Sequence, residues 1–189
     1  ARLTGSSKIR LYHDHMLTKE SGTRQRTPWH QDQPYYNIEG SQNVSFWIPV
    51  DPVSRPATLE FVAGSHKGPW LMPRSFMTHE AKWFPEGSLA DLPDIEANRS
   101  AHNIVGWAVE PGDAIAFHGL VVHGAGGNRN AQRRRRAAVA QGLRSGSSSR
   151  GTQTCPPSRW LKISALTRIK SSDDDWHKAR SSHPYHYSV

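Results

Sequence analysis

Cysteine is nearly missing from this chain of 189 residues: Cys155 stands alone, so no internal disulfide can form and a reducing compartment is compatible. Long apolar runs are also missing, none reaching the roughly 18 residues that a helical membrane span needs. The first ten residues lack the apolar core of a secretory signal, and the chain begins at Ala1 without a methionine. It therefore reads as a fragment or a processed product, and the cytoplasm is the expected compartment. No stretch carries a sustained helical period and no internal repeat occurs, which argues against bundles and solenoids. Apolar content is low at 35%, with a mean hydropathy of −0.69, so part of the chain is expected to pack poorly. Acidic residues are scarce only at the C-terminal end. Residues 124–189 hold 13 Lys/Arg against 3 Asp/Glu, a net of +10, whereas residues 1–123 hold 11 against 13, a net of −2. The overall +8 thus belongs to one third of the chain, which argues against a basic nucleic-acid face across the domain.

What is present is a series of short strand patterns separated by turn signals. Residues 8–19 read as a strand, 19–27 as a polar loop and 29–32 as a short extended piece after Pro28. Val44 to Val50 is rich in β-branched and aromatic residues, and Leu59 to Val62 stops at Gly64-Ser65-His66. Ile104 to Val109 and Ala114 to Phe117 flank the turn Glu110-Pro111-Gly112-Asp113. Val121 to His123 reads as a strand end, 124–130 as a Gly/Asn loop and 135–143 as a further strand. Residues 67–103 lack a period and read as a long excursion over the domain, such as a lid. This pattern predicts an all-β sandwich or barrel. The expected organisation is a barrel domain over 1–143, followed by a basic, Ser-rich tail over 144–189 that is disordered, solvated or diverged.

The chemistry gathers around His30 and Asp32. Two residues apart on an extended segment, they share a face. An imidazole beside a carboxylate supplies two ligands of the two-histidine, one-carboxylate set used by non-haem Fe(II) oxygenases. His118 and His123, five residues apart, are both candidates for the third ligand. His123 is preferred because it enters a Gly-rich loop, where a strand opens into a site. His13 and His15 read as structural or pocket-lining. A keto-acid co-substrate with a distal carboxylate needs a fixed guanidinium, and the run Arg133-Arg134-Arg135-Arg136 follows His123. Alternate members of that run face inward on a strand, so either parity could serve. Trp29, Tyr35 and Tyr36 are candidates for an apolar substrate pocket, with the 67–103 excursion above it.

Across roughly residues 8–140 the chain resembles the phytanoyl-CoA dioxygenase family of Fe(II)/2-oxoglutarate oxygenases. The resemblance rests on Leu11-Tyr12-His13 with Lys19, Thr27-Pro28-Trp29-His30-Gln31-Asp32 and Phe46-Trp47-Ile48-Pro49. It continues through residues 59–66, Pro111-Gly112-Asp113 and His123-Gly124-Ala125-Gly126-Gly127-Asn128 with the arginine run. It implies a mainly β fold, a double-stranded β-helix or cupin-like jelly roll without the helices that precede it in longer members. It implies ligation of Fe(II) by His30, Asp32 and His123. It places the 2-oxoglutarate arginine about eleven residues past the second histidine, at Arg134, and puts Trp47 and Leu11 on the co-substrate wall. The implied reaction consumes O₂, hydroxylates an unactivated C–H bond of a small organic substrate, and releases succinate and CO₂. The competing readings are a Zn-dependent cupin-type hydrolase or isomerase, a catalytically impaired barrel kept as a binding protein, and a nucleic-acid binder led by the tail.

Overall fold

The computed structural model describes residues 2–144 and 166–170. Nine strands follow in chain order: β1 (Ile9–Lys19), β2 (Thr27–His30), β3 (Asn43–Pro49), β4 (Leu59–Val62), β5 (Ile104–Val105), β6 (Ala114–Phe117), β7 (His123–Ala125), β8 (Arg135–Arg144) and β9 (Leu166–Ile169). They form two antiparallel sheets with strand orders β1-β8-β3-β6-β9 and β2-β7-β4-β5. A single apolar cluster joins the sheets: Trp47, Ile115, Phe117, Ala137 and Val139 from the larger meet Leu59, Phe61 and Ala125 from the smaller. This is the jelly roll that the resemblance implies, within the all-β sandwich or barrel that the strand pattern predicts. No helix among the described residues is long and apolar enough to cross a membrane, which leaves strand-built membrane barrels unaddressed.

Strand alternation sets the core. Along β8, Arg135, Ala137, Val139, Gln141 and Leu143 are buried, while Arg136, Ala138 and Ala140 are not. Along β3, Ser45, Trp47 and Pro49 face in. Phe61 is fully buried and Trp47 is 2% exposed. Truncating either to alanine costs about 3–5 kcal/mol, because the cavity left behind adds to the lost transfer energy.

Several local expectations are corrected. The strand expected over 104–109 is two residues long; Val109 instead bridges Val53. β7 begins at His123 rather than ending there, and it absorbs Gly124 and Ala125 from the expected loop. In the tail, Leu166–Ile169 pairs antiparallel with β6, and Arg168 donates to Asp113 Oδ2 at 2.7 Å. The rest of the tail lies outside the described residues.

Residues 67–103 form an irregular roof, with β-bridges Leu71↔Ala90 and Arg74↔Ala81. Gln31 and Tyr35 pin it. The Gln31 amide donates to Pro69 O and Leu120 O at 3.1 Å each and accepts from Leu71 N at 2.9 Å. The Tyr35 hydroxyl donates to Arg74 O at 2.7 Å and accepts from Arg74 N at 3.0 Å.

Candidate metal centre

β2 and β7 pair so that His30 and His123 are direct cross-strand partners, with ring centroids 4.2 Å apart. Side chains of directly opposed residues leave the same face of a sheet, so this register alone brings the two imidazoles together. Asp32 arrives differently from the expected extended His-x-Asp. β2 ends at His30, and Asp32 adopts right-handed helical backbone angles (φ −73°, ψ −46°) at the entrance to the 3-10 turn Gln33–Tyr35. The turn is held by Gln33 N donating to Gly119 O at 2.9 Å. A Cβ on Gly119 would come within 2.6 Å of Asn43 Oδ1, so glycine suits this close approach.

One ligand atom from each of His30, Asp32 and His123 lies within 4.8 Å of the others. Both Nε2 atoms sit 3.5 Å from Asp32 Oδ1. His30 Nδ1 is 2.9 Å from Pro28 O and His123 Nδ1 is 3.0 Å from Val121 O. These carbonyls only accept, so each Nδ1 carries the proton and each Nε2 presents a lone pair. Burial, and then the neighbouring His30, hold His123 down at about 4 against the opposing pull of Asp32. For Asp32, burial pushes upward but is outweighed by His123, His30 and the Ser45 hydroxyl, leaving its carboxyl at about 2. With both rings in that tautomer, a carboxylate oxygen faces two nitrogen lone pairs. That arrangement is repulsive unless a cation sits among them, and the donor set fits a divalent transition metal with open positions.

The partners that hold this set are largely invisible to motif reading. Ser45 Oγ donates to Asp32 Oδ2 at 2.9 Å, and Gln141 Nε2 approaches the same oxygen at 3.5 Å while donating to the Tyr36 hydroxyl. This leaves Oδ1 directed at the histidines. Phe61 stacks on the His123 ring, with centroids 5.8 Å apart, and Phe117 lies at 4.7 Å. His118, the other third-ligand candidate, is spent elsewhere: Nε2 bonds Ser41 O at 2.7 Å and Nδ1 accepts from Leu120 N at 3.1 Å.

A cavity of about 430 Å³ runs from the three ligands past Trp47, Leu59 and Val139 to Lys19 and Arg135. His15 also lines it, its ring 4.9 Å from that of His13. The expectation for Arg134 is corrected. Its side chain is 65% exposed and pairs with Glu20 at 2.8 Å. Its parity on β8 is opposite to that of Val139 and Leu143, which face the core. Arg135 has the inward parity, is buried, and donates to Ala57 O. Leu11 is corrected too: at 67% exposed it is outside the cavity, because a β-bulge between Leu11 and His13 breaks the register there. Trp47 lies where expected, on the cavity wall. Of the substrate-pocket candidates, Trp29 and Tyr35 line a neighbouring cavity, while Tyr36 packs against Tyr12 at 5.5 Å on the other side.

Lys19 is a further cation of this cavity, beside Arg135 and the Glu96-paired Arg26. Its ammonium donates to Gln25 O at 2.8 Å and Gly126 O at 3.1 Å. Burial, then Arg135 and Arg26, push its pKa down to about 8. Burial also lowers that of Arg135. Among the described residues neither Lys19 nor Arg135 has a carboxylate partner. A buried and a half-buried positive group without carboxylate partners among the described residues favour an anionic ligand at that end of the cavity.

The phytanoyl-CoA dioxygenase (PhyH) family matches residues 3–137. The human peroxisomal phytanoyl-CoA dioxygenase is 32% identical over 130 residues, covering 64% of this chain and 36% of that protein. The Bos taurus protein of the same name is 30% identical over 131 residues, again over 36% of its length. The chain thus spans about a third of these relatives. Among solved structures, the non-haem α-ketoglutarate-dependent carbocyclase SnoK of nogalamycin biosynthesis superimposes with a TM-score of 0.61 at 20% identity, covering 89% of this chain and 65% of that one. EvdO2 from Micromonospora carbonacea var. aurantiaca, complexed with 2-oxoglutarate, gives 0.57 at 22% identity, over 77% and 56%. These two likenesses speak to the fold. On the family match over most of its length, the chain belongs to the phytanoyl-CoA dioxygenase family.

Proposed function

We propose that this chain is a non-haem Fe(II) dioxygenase that consumes 2-oxoglutarate and O₂ and hydroxylates an unactivated C–H bond of a small organic molecule, releasing succinate and CO₂. The observation that carries the reading is one cavity with two complementary ends, three metal donors at one and two uncompensated cations at the other. His30, Asp32 and His123 would hold the iron. Arg135, with Lys19, would receive the distal carboxylate of 2-oxoglutarate, and a guanidinium can grip it with two hydrogen bonds. Trp47 would wall the dicarboxylate between these ends. Iron with its co-substrates supplies the oxidising equivalent that places one oxygen atom in the C–H bond and the other in succinate. The protein orients the partners, excludes water with Phe61, Phe117 and Trp47, and holds both imidazoles through their Nδ1 bonds in the tautomer that turns Nε2 toward the metal position.

The choice of hydroxylation follows the family. The structural neighbours include a carbocyclase and an epimerase that use the same co-substrate, so the oxidised carbon can meet other fates. A zinc hydrolase or isomerase would have no use for Arg135 and Lys19, cations without carboxylate partners among the described residues. A small-molecule partner and a reducing, cytoplasmic setting complete the proposal, on the cavity and the single cysteine. The test is succinate release from 2-oxoglutarate with Fe(II) in air, comparing the wild type with Asp32→Ala. Turnover in the wild type and its loss in the variant are expected. Equal succinate from both proteins, or none from folded wild type containing iron, would overturn the reading.

A further inference from the structure

A second cavity, of about 600 Å³, lies on the other side of His30, under the roof of residues 67–103. It shares His30, Phe76, Pro28, Thr27 and Arg26 with the metal cavity. The wall between the two is aromatic. The His30 ring meets Phe76 edge-on at 4.9 Å and Tyr35 edge-on at 6.0 Å, and Tyr35 meets Phe76 at 5.8 Å. Leu71, Met72, Leu92 and Ile95 supply aliphatic surface. The volume is that of an ordinary small-molecule site.

The arginine and carboxylate side chains lining this cavity are already engaged. Both guanidinium groups are ion-paired: Arg26 is bidentate to Glu96 at 2.8 and 2.7 Å, and Arg74 reaches Glu86 and Asp91 at 2.6 Å each. The Trp29 indole donates to Glu96 at 3.3 Å. The Tyr35 hydroxyl and the Gln31 amide are committed to the roof. Asp94 Oδ1 accepts from Ala97 N at 3.0 Å. The contrast with Lys19 and Arg135 in the neighbouring cavity is sharp, since there the cations lack carboxylate partners among the described residues.

We propose that this second cavity seats the organic substrate and that the substrate is an uncharged, largely apolar, ring-bearing molecule rather than a polyanion such as a coenzyme A thioester. A phosphate-bearing headgroup would have to break the Arg26–Glu96 or Arg74–Glu86/Asp91 pairs and leave carboxylates unpaired. A ring needs no such exchange, because Trp29, Tyr35 and Phe76 offer faces and edges for stacked and edge-on contacts. An occupant against Phe76 abuts His30, and so sits beside the metal donors. The inference rests on the oxygenase reading for what happens to the occupant, but the binding itself does not require it.

The test uses the metal-free full chain with 2-naphthol as neutral probe and coenzyme A as polyanionic probe, read by saturation-transfer NMR and calorimetry. Saturable binding of 2-naphthol is expected, undiminished by coenzyme A. Phe76→Glu, at a position 44% exposed and therefore tolerant of a polar side chain, should weaken it at least tenfold. Leu92→Glu is the second variant, from the opposite wall. No saturable 2-naphthol binding, displacement of 2-naphthol by coenzyme A, or wild-type affinity in both folded variants would overturn the proposal. Because neither probe needs iron or 2-oxoglutarate, failure here leaves the succinate experiment standing. Failure of succinate release alongside intact naphthol binding would strike the iron chemistry instead.

Discussion

The smaller sheet is built from strands of two to four residues, whereas β1 and β8 of the larger sheet run to eleven and ten. The three candidate metal donors come from the short strands and the turn after β2, and the cavity's Lys19, Trp47 and Arg135 come from the larger sheet. Short strands can start or stop where a side chain must be free, as β2 stops at His30 and β7 starts at His123. Long strands carry a fixed parity over many residues, so Lys19, Trp47, Arg135 and Gln141 are aimed by register. On the proposed function, one sheet would supply the metal donors and the other the groups that receive the anion.

Asp32→Ala should break the first half of this contrast most severely. It removes a donor rather than a donor's partner, so metal affinity should fall by more than the ~100-fold that outer-shell losses cost. Titration with Fe(II) under anaerobic conditions reads this directly. Arg135→Ala tests the second half. Loss of a buried charged hydrogen-bonding partner costs up to about 3 kcal/mol, so 2-oxoglutarate affinity should fall about 100-fold. Arg134→Ala removes only an exposed ion pair and should change it less than about twofold. If the two variants trade places, the parity argument fails.

Acidification should unsettle the short-strand half of the metal-free protein first. Folded His123 titrates at about 4, below its ordinary 6.5, so the unfolded chain binds more protons between these values. Stability therefore falls as pH drops from about 6.5 to 4, by an amount on the order of 3 kcal/mol. Asp32, folded at about 2 against 3.8, extends the loss in the same direction below pH 4. Urea midpoints at pH 7 and 4.5 measure it, and an unchanged midpoint would contradict the burial of a neutral imidazole. The smallest effect is expected from Ser45→Ala, which removes one hydrogen bond to Asp32 Oδ2 and should weaken metal binding about tenfold without changing 2-oxoglutarate affinity.

How far the sequence could be read follows the same division. The donors were legible because His30-Gln31-Asp32 and a histidine entering Gly124-Ala125-Gly126-Gly127 are compact patterns, although the spacing argument for the first was wrong in its geometry. Strand pairing and a turn, rather than one extended segment, bring the three together. Arg135 was within reach by another route. Val139 and Leu143 mark the inward parity of β8, and counting back by twos gives Arg135, whereas counting forward from His123 gave Arg134. Leu11 could not have been placed, because the bulge beside it leaves no trace in residue type. Ser45 and Gln141 carry no motif, Lys19 enters the resemblance without a role, and their positions appear only when β3, β8 and the end of β1 are brought against the cavity. The two-residue β5 shows the limit of propensity: Val109 has the residue type for a strand but finds only Val53 as a partner.

Gln31 lies between two of the metal donors in sequence, yet all three of its hydrogen bonds go to backbone, two of them to the roof at Pro69 and Leu71. The lintel over the apolar chamber and the hinge-post of the metal site are thereby one piece of masonry. Residues 75–92 can drift in sequence and reshape what the chamber admits, while any shift at 69–71 would be felt at His30 and Asp32 on either side of Gln31.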